Sequence, residues 1–226
     1  MSRLASRRGA AGVVLGGPLP NGRHFLPREV VERNQRQRLL DAVPVVVAEH
    51  GCAGLTVEKV IAAAGVSRRT FYEFFADARE AMLATYDAIF ARLLAAVERA
   101  CAAEPDWPSG VRAAIAAALG FAAAEPAAAR LLSVDTFSFS PEGARRVLAS
   151  HERLAGLLAS GREDRPRAAQ LPAITERALV SGIWTTIGSR LLEGTPERLA
   201  ELELQLAELT LMPYLGAEAS SSRAAS

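Results

Sequence analysis

Apolar residues recur at intervals of three and four through almost every long segment of this chain. A period near 3.6 puts such residues on one face of a helix, whereas a half-buried strand needs strict alternation. Leu39, Leu40, Val43, Val46 and Val47 form one stripe; Met82, Tyr86, Ile89, Phe90, Leu93, Val97 and Cys101 form another. β-branched runs are short and alanine is abundant. The spacing therefore predicts an all-α protein. Half of its 226 residues are hydrophobic, enough to bury a sizeable core.

Punctuation divides the pattern. A first helix is expected over Arg28 to His50, stopped by Gly51, with Pro44 imposing a kink or a late start. Thr56 caps a short second helix whose buried face is Val57, Val60 and Ile61, and Gly65 ends it. Ser67 caps a third, about Arg68 to Phe74. Two short helices joined by a three- to four-residue turn containing glycine make a helix-turn-helix. A fourth helix is expected from about Asp77 to Ala103, then helical stretches at roughly 108–124, 126–135, 141–160, 168–192 and 196–212. Thr195 followed by Pro196 reads as an N-cap and first-turn pair. The expected organisation is a flexible basic arm (1–27), a three-helix helix-turn-helix domain (28–76), a C-terminal helical ligand-binding and dimerisation domain (77–215), and a disordered tail (216–226).

Charge is distributed unevenly although the formal net charge is only +1. Residues 1–40 hold eight arginines and two glutamates, a balance of +6. An arginine-rich N-terminus suits an anionic partner, most often nucleic acid, and is equally what a solvated tail looks like. Cys52 and Cys101 make no disulfide framework and no metal spacing, which fits a reducing, cytoplasmic setting. No apolar run reaches the roughly 18 residues of a membrane span, and the patch within 1–20 is too short and glycine-broken for a signal peptide. The three histidines, His24, His50 and His151, stand apart from one another. No nucleophile elbow, phosphate loop or metal pattern appears, so neither enzymatic activity nor a cofactor is expected.

The stretch "AGVSRRTFYEFF" carries the sharpest functional signal. In a helix-turn-helix the second helix enters the major groove and its first residues meet base edges. Arg68, Arg69 and Thr70 hold those positions. Arginine forks onto the O6 and N7 of guanine, and threonine meets a thymine methyl or a polar base edge. The hydroxyls of Thr56 and Tyr72 suit phosphate oxygens, which position a protein without reading sequence. The bland alternative is a solvated surface helix over a core of Phe71, Phe74 and Phe75.

The longer segment "LTVEKVIAAAGVSRRTFYEFFADAREAMLATYD" resembles the DNA-binding region of TetR-family transcriptional regulators, with similarity from about Arg36 to Asp87. The resemblance implies phosphate contacts by Thr56 and Tyr72 and a groove-facing run at 67–70. It also implies a dimer on a palindromic operator in double-stranded DNA, a divergent C-terminal ligand domain, and repression rather than activation. The expected DNA-binding set is Arg36, Thr56, Val57, Ser67, Arg68, Arg69, Thr70, Tyr72 and Arg79. The family commonly has lysine or arginine just after the "F-x-D" that opens helix four; here Ala78 stands there and Arg79 follows. That departure supports the competing reading, a helical ligand- or protein-binding dimer that has lost specific DNA binding. The long N-terminal arm, with Arg3, Arg7, Arg8, Arg23, Arg33, Arg36 and Arg38, is expected to add phosphate or minor-groove contacts.

The C-terminal half is read from its own residues. Leu199, Leu202, Leu206, Leu209 and Met212 recur at near-heptad spacing, and "ALVSGIWTTIGSRLL" supplies Leu179, Ile183 and Ile187 among small residues. Both helices are expected in a two-fold, four-helix dimer interface. The alternative is a monomer whose last helix closes a large core. Tyr86, Phe90, Phe121, Phe137, His151 and Trp184 are candidates for the lining of an effector pocket implied by the resemblance, or else ordinary core residues.

Overall fold

The computed structural model describes residues 27–163 and 165–216. The expected arm and tail lie outside these residues, apart from Pro27 and Gly216. Ten α-helices and several single turns make up the described chain: α1 Arg28–His50, α2 Val57–Ala64, α3 Arg68–Phe74, α4 Ala78–Ala102 and α5 Trp107–Ala124. There follow α6 Pro126–Arg130, α7 Thr136–Phe139, α8 Pro141–Ala159, α9 Thr175–Leu192 and α10 Glu203–Leu215. No strand occurs among them.

Local chemistry sets most boundaries. The side chains of Thr56, Ser67, Asp77, Asp106 and Ser140 each accept a bond from the backbone N–H three residues on, capping α2, α3, α4, α5 and α8. Gly65 ends α2 in the left-handed region (φ 62°), from which its N–H and that of Val66 bond back to Ala62 and Ile61. Gly65 is also where the turn meets α1: a Cβ there would lie 2.6 Å from Arg38 Nη2, which donates to the Gly65 carbonyl at 2.9 Å.

Three expectations are corrected. The late start allowed for α1 does not occur: the helix begins at Arg28 and runs through Pro44 as one element, with the Pro44 ring buried beside Val43 and Val46. That burial offsets the backbone donor the proline lacks. The helix expected over 168–192 begins only at Thr175, because Leu171 precedes Pro172 and adopts extended backbone after a 3-10 turn at Ala168–Gln170. The stretch at Pro196–Leu202 is 3-10 rather than α, and Thr195 donates from Oγ1 to the Arg190 carbonyl at 3.4 Å instead of capping it.

Between α6 and α7 the chain makes one π turn, Leu131–Asp135, so the helical path runs four residues past the expected end. Inserted residues of this kind are frequent at functional sites. A single connected apolar cluster extends from Leu39, Val60 and Phe71 through Met82, Leu93 and Leu131 to Ile187, Leu199 and Leu211. The helix-turn-helix and the larger helical region thus share one core, with α4 passing from one to the other.

Candidate functional site

The helix-turn-helix presents a polar surface on an aromatic base. Phe71 is fully buried, packs edge-on to Tyr72 at 5.5 Å and lies 5.7 Å from the Phe75 ring. With Phe71 facing inward, Ser67, Arg68, Arg69 and Tyr72 are exposed on the other side of α3. Arg69 extends furthest, its side chain 91% exposed, paired only with Glu73 one turn on at 3.3 Å. Arg68 is held differently, with Nη2 donating to Glu58 Oε1 on α2 at 2.8 Å and the guanidinium 5.9 Å over the Tyr72 ring.

The other expected DNA-facing residues divide into two groups. Thr56 and Arg79 are exposed, as is Arg36, whose guanidinium stands 5.8 Å over the Phe75 ring. Val57 is partly buried against the core, so its place is beneath the surface rather than on it. Thr70 is half-buried and shares its hydroxyl with Ser67 Oγ at 2.8 Å. Asp77 and Glu80 cap α4 together: Asp77 Oδ1 accepts from the Glu80 N–H, and Glu80 Oε2 from that of Ala76.

Below this domain a cavity of 470 Å³ opens between α4, α5, α8, α9 and α10. Its walls are mostly apolar, among them Leu93, Val97, Val111, Ile115, Leu157 and Val180, with Trp107 and Trp184 as the aromatic groups. Hydroxyls at Ser160 and Thr210 are spent on the Leu157 and Leu206 carbonyls. Trp107 Nε1, in contrast, is buried and lacks a protein hydrogen-bond partner. Trp107 is wedged between Tyr214 at 4.8 Å and the Arg165 guanidinium at 4.7 Å, and only a glycine fits at 161, where a Cβ would meet the indole at 2.1 Å.

Of the six residues expected to line a pocket, Trp184 alone lines this cavity. Tyr86 is buried and stacked on Phe90 at 6.3 Å; its hydroxyl, bonded to Ser150, is pushed up to about 12 by burial. Phe121 lies under the Arg92 guanidinium, and Phe137 is more than half exposed. His151 Nδ1 meets Ser181 Oγ at 3.1 Å between α8 and α9, where burial lowers its pKa. Aromaticity is no guide here because most of the lining is aliphatic, and a core stripe and a cavity wall have the same spacing. Trp107, closely followed by Pro108 and Gly110, was the overlooked signal: a large side chain at a helix start packed against a small residue elsewhere.

The expected dimer residues are also redistributed. Ile187, Leu199, Leu202 and Leu206 are buried within the protomer's own core, Leu179 is half-buried, and Ile183 lines the cavity. Leu209 remains exposed. Other large apolar side chains stand in solvent on the same two helices and their flanks: Ile174, Leu192, Leu204 and Met212. A strip of smaller residues, Ala178, Gly182, Thr185 and Ser189, is exposed along α9 and leads to Leu192. The last helix and the turn before it bury Leu199, Leu202 and Leu206 and expose Leu204, Leu209 and Met212, and apolar spacing alone does not distinguish the two faces.

Two links tie the regions together. Cys52, in the turn after α1, donates from Sγ to the Asp135 carbonyl in the π turn at 3.4 Å, and burial raises its thiol pKa. Asp135 is itself buried beside Arg130 at 3.3 Å, and burial outweighs that partner to raise its carboxyl pKa. The π turn also packs under α9, where Val134 Cγ2 lies 3.0 Å from the position of a Cβ at Gly188. At the far end, Arg162 forks onto Glu176 at 2.7 and 2.8 Å and Tyr214 donates to the same carboxylate, holding the loop before α9 against α10. Among the described residues there is no cluster of three or more side chains able to hold a metal, and no single helix is long and apolar enough to cross a membrane.

Residues 39–85 match the family model of bacterial regulatory proteins, tetR family. No curated protein matches the chain. Solved structures similar to it include the fatty acid degradation regulator FadR from Bacillus halodurans, at 18% identity over 78% of this chain and 94% of that one (TM-score 0.71). A TetR-like transcriptional regulator from Rhodococcus sp. RHA1 is 23% identical over 80% and 96% (TM-score 0.60). FadR from Bacillus subtilis in complex with stearoyl-CoA is 17% identical over 79% and 97% (TM-score 0.63). At these identities the similarity shows a common fold. Residues 39–85 thus carry the helix-turn-helix signature of the tetR family of bacterial regulatory proteins, on a fold shared with these structures over most of the described length.

Proposed function

We propose that the protein is a cytoplasmic, homodimeric transcriptional repressor that binds a palindromic operator and changes its affinity when a small, mostly apolar molecule enters the cavity. The observation that carries the reading is the exposed start of α3: Ser67, Arg68 and Arg69 face outward with Thr56 and Tyr72, while Phe71 anchors the helix from behind. This is a surface for reading base edges flanked by hydroxyls for phosphate. The Arg36 and Arg79 guanidiniums extend it.

A dimer supplies the second recognition helix. The face suited to it is the exposed strip of α9 together with Leu209 and Met212 of α10, because small residues let helices approach closely and the leucine and methionine side chains otherwise stand in water. The effector follows from the cavity chemistry. Aliphatic walls favour a hydrocarbon body, and the partnerless Trp107 Nε1 favours one hydrogen-bond acceptor on it. Long-chain acyl compounds fit this description and are the first class to test, in keeping with the stearoyl-CoA complex of the B. subtilis protein. Such a ligand acts only through its differential affinity for two arrangements of the DNA-binding domains.

The deciding experiment is selection of duplexes from a random library by the full chain and by Arg69→Ala. The expected result is a palindromic consensus that the variant relaxes at one symmetric base pair. Weak, salt-sensitive binding with no consensus would overturn the reading and favour a ligand-binding helical dimer.

A further inference from the structure

Two adjacent arginines open the recognition helix, yet they are held in different ways. Arg69 pairs along its own helix with Glu73. Arg68 is tethered across the turn to Glu58, in the first turn of α2, and leans over the Tyr72 ring. A carboxylate in the first turn of α2 favours that helix through its free N–H groups, but that effect needs no partner on α3 and does not account for the tether. The paired side chains are 59% and 61% exposed, and ion pairs in that setting add little to a fold. The α2–α3 turn is already fixed by buried Val60 and Phe71 and by the Arg38 bond to the Gly65 carbonyl.

A carboxylate at this place also repels the phosphate backbone that the proposed function brings to it. The cross-turn pairing with Arg68 opposes indiscriminate binding and adds little stability of its own, which points to a role in discrimination. When Arg68 turns to a phosphate, it trades one anionic acceptor for another and leaves Glu58 unneutralised beside the DNA. A guanine also draws it off Glu58, but its O6 and N7 accept a fork on the groove floor only at the right base, whereas phosphates line every duplex.

We propose that Glu58 is a specificity-determining residue of the DNA-binding surface: it withholds the Arg68 guanidinium from indiscriminate phosphate contact and yields it to the correct base edge. The role is a positioning one, exercised through Arg68, and it rests on the operator-binding reading above.

The test uses the full chain with Glu58→Gln, Arg68→Ala and the double variant. Glutamine keeps the length of the side chain and an oxygen that accepts from Arg68, and removes only the charge. Affinities are measured for the selected operator and for a scrambled duplex at two salt concentrations, alongside the melting temperature. Glu58→Gln is expected to tighten scrambled-duplex binding by about tenfold and operator binding by clearly less, so the preference for operator falls several-fold. With Arg68→Ala present that fall should vanish, and the small change in melting temperature caused by Glu58→Gln should be the same with and without Arg68. Equal tightening on both duplexes, no change in either, or the same fall without Arg68 would each overturn the proposal. A wild-type chain that prefers no duplex would remove the operator-binding reading and this role together. A wild-type chain with a clear preference that Glu58→Gln leaves intact would remove this role alone.

Discussion

The helix-turn-helix and the larger helical region are built from the same secondary structure by opposite means. In the first, three helices of 23, 8 and 7 residues meet at turns whose chemistry is local: a threonine cap, a left-handed glycine, a serine cap. Its candidate functional residues are the ones left outside. In the second, long helices are joined by prolines and irregular turns, and the functional space lies inside, bounded by the same aliphatic residues that build the core. A surface that reads DNA is specified by polar residues at fixed offsets. A cavity is specified by what fails to fill it, which depends on how several distant segments pack.

The comparison breaks most directly at Phe71. Phe71→Ala removes a fully buried ring from the centre of the small domain and is expected to cost about 3–5 kcal/mol. Urea unfolding followed by circular dichroism should then show the helix-turn-helix melting before the remainder. One shared transition displaced as a whole would instead make the two regions a single cooperative unit, as their continuous core allows.

The corresponding weak point of the larger region is the Arg162–Glu176–Tyr214 cluster. The Arg162 guanidinium, first, and the Tyr214 hydroxyl hold the Glu176 carboxyl below the usual carboxylate range, against the opposing effect of burial. A depressed carboxylate contributes stability that is fully present above its ordinary value of 4.5 and is lost as pH falls through the folded value. Glu176→Gln should lower the melting temperature at pH 7 by about 5 °C and remove part of the decline below pH 4.5. A variant whose acid limb matches the wild type would show that other carboxylates carry it. His151 works in the same direction at higher pH, since its lowered pKa makes stability fall as pH drops below about 6.5.

These contrasts explain what the sequence made legible. The bounds of α2, α3 and α4 followed from Thr56, Gly65, Ser67 and Asp77, because caps and left-handed turns are local and use few residue types. The exposure of Thr56, Ser67, Arg68, Arg69 and Tyr72 followed for the same reason, whereas Val57 packs inward because it is an apolar residue in a helix's first turn. Ile183 was assigned to an interface and lines the cavity; Leu199, Leu202 and Leu206 were assigned there and fill the core. An apolar stripe says that a helix face is covered, and not by what. The π turn at Leu131–Asp135 carries no local signal either: it is defined by the Cys52 thiol and by α9, neither of them nearby in sequence.

A cavity-filling change sharpens the contrast at smaller cost. Ala118 lines the cavity, and Ala118→Phe adds a ring to space that is otherwise open. The expected result is unchanged or slightly raised thermal stability, unchanged operator binding, and effector affinity reduced about tenfold or more. Fluorescence titration of the two tryptophans on the cavity wall with a long-chain acyl ligand measures the last of these. Operator affinity that falls together with effector affinity would show that the cavity walls themselves hold the DNA-competent arrangement.

The smallest effect is expected at the start of α4, where this chain departs from the pattern it otherwise resembles. Ala78 is half-buried at the usual position of a basic residue, and Arg79 is exposed beside it. Asp77, Glu80 and Glu142 border the same shallow groove as Arg79, so its positive charge is partly offset before any DNA arrives. Arg79→Ala should therefore weaken operator and scrambled duplex alike by only about twofold and reduce the salt slope by about one unit or less. Ala78→Lys should do the reverse, tightening both duplexes and steepening the slope, without altering the selected sequence. Loss of sequence preference in Arg79→Ala would place a base-reading group on α4 and end the proposed division, in which α3 reads bases and the start of α4 only steadies the domain on the backbone.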